Sequence, residues 1–189
     1  EDKKFTTGKG RYTDDINRPG QLHAFFIRSN VAHAKINDID ITKALKSDGV
    51  AAIYTGADIA ADGVGGPICG WTPTNRDGSA PKEPPHPLLA NGKVRYVGDH
   101  IAVVIAESME QVKLAAENVK IDLEALAPVV DLSTAIGNTQ IHDEMDDNVY
   151  FDWELGDEKA TADALGSAAK VIELTVTNNR VIPNAMEPR

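Results

Sequence analysis

With 189 residues, 42% of them hydrophobic and 25% charged, the chain has ordinary globular composition and room for one packed domain with part of a second. A formal net charge of -10 and a pI near 4.9 argue against nucleic acid and anionic membrane surfaces as partners, because their phosphates would be repelled. No apolar run reaches the ~20 residues that span a bilayer, and no basic start followed by an apolar stretch marks a signal peptide.

The single cysteine, Cys69, excludes an internal disulfide and a thiolate metal cluster, so a reducing, cytoplasmic home is expected. The first residue is Glu1 rather than Met, which leaves an upstream segment open.

The stretch "KKFTTGKGRYTDDINRPGQ" is rich in Gly, Thr, Asp and Pro and reads as an extended lead-in over residues 1–19. "LHAFFIRS" (22–29) has the aromatic and β-branched content of a strand. "DITKALKSDGV" predicts a short helix, capped by Asp40 or Thr42 and closed by Gly49 in the left-handed position past its end. "VAAIYTG" (50–56) predicts a second strand.

From Ala57 to Gly92 regular patterning disappears. This stretch holds six of the ten prolines and six of the fifteen glycines. Loops of such length are uncommon inside compact domains, so it is either functional or a poorly ordered excursion.

"KVRYVG" then alternates with period two, and "DHIAVVIAES" supplies a continuous apolar run, as in a central strand buried on both faces. "SMEQVKLAAENV" is the best helix. Ser108 and Gln111 form a candidate capping box, and Val112, Ala115, Ala116 and Val119 share one face. "VKIDLEAL" (119–126) alternates strictly and suits a half-exposed edge strand. Residues 143–158 carry eight acidic groups and no basic one, which reads as a solvated linker or rim. Phe151 and Trp153 within it predict that it lies down on another surface. An Ala-rich helix (about 160–169) and a terminal strand (170–176) complete the order, with no internal repeat.

The catalytic inventory is thin. "TTGKGR" lacks the spacing of a phosphate loop, and "DGVGGPICG" lacks the third glycine and following helix of a dinucleotide fingerprint. His23, His33, His86, His100 and His142 form no i, i+4 pair, so a metal site would need convergence in space. His23 and His100 lie in predicted strands and read as structural; His86, between two prolines, reads as an anchor for the loop. Cys69 has no thiolate-stabilising context and reads as a small buried side chain rather than a nucleophile. The paired carboxylates are explained by a solvated acidic face.

The punctuation is more distinctive than the chemistry. "GKGRYTDDINRPGQLHAFFIRSNVAHAKINDID", "GVAAIYTGADI", "HPLLANGKVRYVGDHIAVVIAES", "AAENVKIDLEALAPVVD" and "NNRVIPNAMEPR" occur in this order. Together they resemble the molybdopterin-binding large subunit of the xanthine dehydrogenase and aldehyde oxidase family, with the closer likeness to the aerobic carbon monoxide dehydrogenase large-subunit branch. The resemblance covers essentially the whole chain.

That resemblance implies an α+β fold. Residues 20–132 would form an α/β-hammerhead domain, a mixed sheet with two main helices. Residues 133–159 would be an acidic linker and 160–189 the start of the molybdopterin-binding domain, with the chain ending where that domain opens. It further implies an oxidoreductase in which the intact subunit carries molybdopterin and molybdenum. [2Fe-2S] clusters and FAD would sit on partner subunits or domains, in a cytoplasmic and oligomeric enzyme.

The family's cofactor-holding and catalytic segments are a glutamine-containing strand, a Gly-Gly-Phe-Gly loop and a late glutamate, and none of them is matched here. No catalytic, cofactor-binding or metal residue is therefore assigned, and the expected role of this chain is structural and inactive alone. Carbon monoxide, an aldehyde or a heterocycle remain equally open as substrate. A free-standing binding module that captures a ligand with the 57–92 loop is the alternative, and a small hydrolase using Cys69 or a histidine a third.

Overall fold

The computed structural model describes residues 2–178 and divides the chain into two units. One unit spans residues 20–154. The other combines the residues up to 19 with those from 155 onward.

The 20–154 unit is built on two three-stranded sheets, each antiparallel throughout. In the first, β1 (His23–Arg28) and β3 (Val50–Thr55) flank β5 (His100–Ala106). In the second, β4 (Lys93–Val94) and β6 (Lys120–Ala125) flank β2 (Ala34–Asp40). The α+β class expected from the sequence holds, with two antiparallel sheets in place of one mixed sheet. β5 is the central strand its apolar run predicted, and β6 is the predicted edge. Both ends of β5 are buried, and they serve different cores: Ile101 packs with Ala34, Ala90 and Val94, whereas Val104 and Ala106 pack with Ala44, Ile53, Val112 and Ala115.

The second core is closed by helix α3 (Met109–Ala116). Ser108 Oγ accepts the N–H of Gln111 at 3.2 Å, as its N-cap position predicts. The Gln111 side chain does not complete the box. Its Oε1 lies 2.9 Å from Ser108 Oγ, and its Nε2 donates to Asp48 at 3.2 Å, tying α3 to the turn before β3. Gly49 in that turn has φ +71°, the left-handed geometry its position required.

Four local expectations are corrected. The helix predicted over 40–49 shrinks to a single 3-10 turn at Ala44–Lys46, because Asp40 is already engaged in β2 opposite Lys120. The patternless stretch begins with a helix, α2 (Gly56–Ala61), where Asp58 Oδ2 accepts both the N–H and the hydroxyl of Thr55 at 2.7 Å. The lead-in is not wholly extended, since it holds α1 (Asp2–Thr6) and a 3-10 turn at Thr13–Asp15, with Phe5 stacked on Tyr12. The terminal strand predicted at 170–176 is not formed: these residues are exposed and have no ladder partner among the described residues. The preceding helix does form, as α4 (Glu158–Ser167), with Asp157 capping Ala160 N–H at 2.8 Å. Of the "NNRVIPNAMEPR" segment, everything after Asn178 lies outside the described residues.

Candidate functional site

The 62–92 stretch contains no further helix or strand, yet it is held at several points. The acidic segment lies across it. Trp71 packs edge-on against Phe151 and Trp153, with ring centroids 5.4 and 5.6 Å apart. Beside these rings, Arg76 N–H donates to the Asp152 carbonyl at 2.9 Å, Arg76 Nε pairs with Asp152 at 3.2 Å, and Asp152 N–H donates to Asn75 at 2.9 Å. Lys82 pairs with Asp146, and Lys93 grips both oxygens of Asp143. The eight-acid block thus meets the basic residues that its own sequence lacks, and its aromatic residues lie on the loop.

One cavity lies where three stretches of this unit converge. Pro85, His86 and Pro87 come from the loop, Arg95, Tyr96 and Asp99 from the β4–β5 connection, and Ile141 and His142 from the acidic segment, around a volume of about 110 Å³. The prolines fix φ along their wall. Asp99 is buried and directs Oδ2 to the backbone N–H of Arg95 at 3.0 Å. The rings of His86 and Tyr96 stack with centroids 6.4 Å apart. Arg95 Nε and His142 Nδ1 are buried without a hydrogen-bond partner. Each such group costs about 1–3 kcal/mol when left unsatisfied.

Burial, followed by the Arg95 guanidinium, lowers the His142 pKa from its ordinary 6.5; Glu144 and Asp143 oppose this, while His86 adds to it. Burial, then Asp99, raises that of Tyr96.

The other candidates fall elsewhere. His23 sits in β1, as predicted, and His100 opens β5 with its ring 4.8 Å from that of Phe26. His33 is buried and bonds the Ala127 carbonyl through Nδ1 at 2.9 Å. Cys69 is exposed, not buried, because it sits in the irregular loop with its thiol donating to the Trp71 carbonyl at 3.0 Å. Among the described residues no three His, Cys, Asp or Glu side chains come together in a way that could hold a metal ion. No helix among them is long and apolar enough to cross a membrane. The sequence named His86 and His142 singly; Arg95, Tyr96 and Asp99 carried no signal, since only the fold brings them to one cavity.

The likenesses of this chain to known proteins are extensive. It is 35% identical over 192 residues to the nicotine 6-hydroxylase large subunit of Paenarthrobacter nicotinovorans, covering 100% of this chain and 22% of that protein. It is 34% identical over 203 residues to the carbon monoxide dehydrogenase large chain of Afipia carboxidovorans, covering 99% and 24% respectively. The solved structure of quinoline 2-oxidoreductase from Pseudomonas putida 86 superposes with a TM-score of 0.70 at 32% identity, over 90% of this chain and 21% of that one. The chain therefore spans between a fifth and a quarter of the length of these relatives. Residues 7–127 match the a/b hammerhead domain of aldehyde oxidase and xanthine dehydrogenase, and the chain belongs to that family.

Proposed function

We propose that the chain serves as the N-terminal structural part of the large subunit of a molybdenum hydroxylase, of the carbon monoxide dehydrogenase or xanthine and aldehyde dehydrogenase type. In this reading residues 20–132 are the hammerhead domain, 133–159 the acidic linker, and 160–189 the start of the molybdopterin-binding domain. The observation that carries it is the alignment of nearly the whole chain with a minor share of two such large subunits.

The intact enzyme would be an oxidoreductase. Its molybdopterin-bound molybdenum would supply oxidation of substrate with water as oxygen source, and electrons would leave through [2Fe-2S] clusters and FAD on partner subunits or domains. A cytoplasmic, oligomeric assembly is part of the same reading. The group would be held by other parts of the intact subunit, since no motif of the family's cofactor-holding segments is matched in this chain. In this reading the chain carries no catalytic, cofactor or metal residue, and its work is to supply packed surface. The loop over 57–92 is tied down by the acidic segment, which weighs against a free-standing module that captures ligands with it.

The test is elemental analysis and visible absorption of the purified 189-residue chain. A colourless protein without molybdenum, inactive toward carbon monoxide, aldehydes and heterocycles, is the expected result. Stoichiometric molybdenum or a visible band would overturn the structural role.

A further inference from the structure

We propose that the cavity bounded by Pro85–Pro87, Arg95, Tyr96, Asp99 and His142 is a binding site for a single carboxylate group, held by the Arg95 guanidinium and the His142 imidazole. The site does not depend on the role assigned to the whole subunit.

Geometry carries the assignment. Arg95 and His142 both line the cavity, and within them Arg95 Nε and His142 Nδ1 are buried and have no partner. A guanidinium offers a planar fork of donors that matches a carboxylate, and charge-assisted bonds of this kind are the strong ones. Asp99, the acid that lines the cavity, turns Oδ2 to the Arg95 backbone N–H. The cavity, at about 110 Å³, has the room of roughly three to four waters, which suits a carboxylate with its first carbon or two.

Charge decides between anions. Arg95 and Asp99 nearly cancel, so a dianion such as phosphate would meet Asp99 with its second charge, whereas a monocarboxylate balances one proton gained by a histidine. The groups facing His142 are Arg95, His86, Tyr96 and Asp99 around the cavity and Asp143 and Glu144 on its own segment, with Asp143 neutralised by Lys93. Arg95 and His86 disfavour the imidazolium. A bound carboxylate reverses that, so binding draws a proton onto His142 and strengthens as pH falls.

The test is nuclear magnetic resonance of the isotope-labelled 189-residue chain, following the His142 ring and the Arg95 Nε–H during titration with sodium acetate, with sodium chloride and sodium phosphate at matched ionic strength as comparisons. Expected are saturable acetate shifts at both groups and a higher titration midpoint for His142 at saturation. Phosphate should bind more weakly. Arg95→Gln should weaken acetate binding about tenfold or more. His142→Gln should keep weak binding at Arg95 but lose its pH dependence, and a circular dichroism spectrum like the parent's checks that each variant is folded.

Acetate shifts no larger than those from chloride would overturn the site. So would saturation by phosphate alone, or unchanged acetate binding in folded Arg95→Gln. N-acetylglutamate amide, run in parallel, separates the two sources of the carboxylate. Binding of acetate but not of this derivative assigns a free small acid, and binding of both assigns an acidic side chain of another protein segment as well.

Discussion

At the scale of single residues, Val112 and its neighbour Lys113 separate packing from exposure within one turn. Val112 is fully buried against Ala44, Ile53 and Val104, while Lys113 is exposed. Burying a side chain of that size stabilises by about 1.5–3 kcal/mol, and a carboxylate in its place would lie in an apolar site without a partner. Val112→Asp is therefore expected to abolish the cooperative urea transition, with Lys113→Asp staying within about 0.5 kcal/mol of the parent.

A second residue-scale expectation concerns acid. Burial lowers the pKa of both His100 and His142 below 6.5, followed in each case by a nearby arginine, Arg28 for His100 and Arg95 for His142. For a histidine whose folded pKa is depressed, the unfolded chain binds the proton more readily. The stability this contributes is present above the unfolded value and is lost as pH falls through 6.5 toward the folded one. Urea midpoints measured from pH 8 down to 5 should fall across that window. The double variant His100→Gln, His142→Gln should flatten the decline, and an equal slope in the variant would assign it to other groups.

Among the elements, legibility followed the regularity of the pattern. β5 and α3 could be read because a continuous apolar run and a capped apolar face are signals that the fold leaves intact. β2 escaped notice because its register shifts between Ile36 and Asp38, so Ile36 and Ile39 both reach the same core although they stand three residues apart. A bulge breaks the period of two on which strand reading depends. The strand expected at 170–176 failed for the opposite reason: its alternation is sound, but a strand needs a ladder neighbour, and none stands beside it among the described residues. Amides from 170 to 178 should consequently exchange as fast as an unstructured peptide, against strong protection over 101–106, when followed by hydrogen exchange and mass spectrometry.

Helix α2 was hidden because it has six residues and no apolar stripe worth the name. It depends on its start. Asp58→Ala removes both bonds to Thr55 and should cost about 1–2 kcal/mol in a urea titration, whereas loss of the neighbouring exposed Asp62 should cost little.

In the molecule as a whole, the 20–154 unit is completed by contacts between segments far apart in sequence, and these account for what the sequence left unread. The cavity beside His86 and His142 exists because the loop, the β4–β5 connection and the acidic segment meet. Gly66 is one reason the loop can adopt its path, since a Cβ there would collide with the carbonyl of His86. Besides the hydrogen bonds of Arg76 and Asn75 with Asp152, ion pairs and ring contacts hold the acidic segment on the loop, and the strengths of these two differ. The ion pairs of Arg76 with Asp152 and of Lys82 with Asp146 lie between side chains that are more than half exposed, where such pairs contribute about 0–1 kcal/mol and are screened by salt. The contacts of Trp71 with Phe151 and Trp153 cover only part of these exposed rings, and each edge-on pair adds about 0.5–1.5 kcal/mol beyond the area it covers.

The aromatic contacts should therefore dominate. At about 1 M salt, where the screening length is roughly 3 Å, the segment should stay in place. Arg76→Gln should likewise leave it docked, while Trp71→Ala should release it. Limited proteolysis across 141–154, read by mass spectrometry with Trp153 fluorescence alongside, distinguishes the cases. Faster cleavage and a red-shifted emission in Trp71→Ala alone would place the attachment in the rings. Release by salt or by Arg76→Gln would place it in the charges instead, and the acidic block would then be an electrostatic latch on an otherwise loose loop.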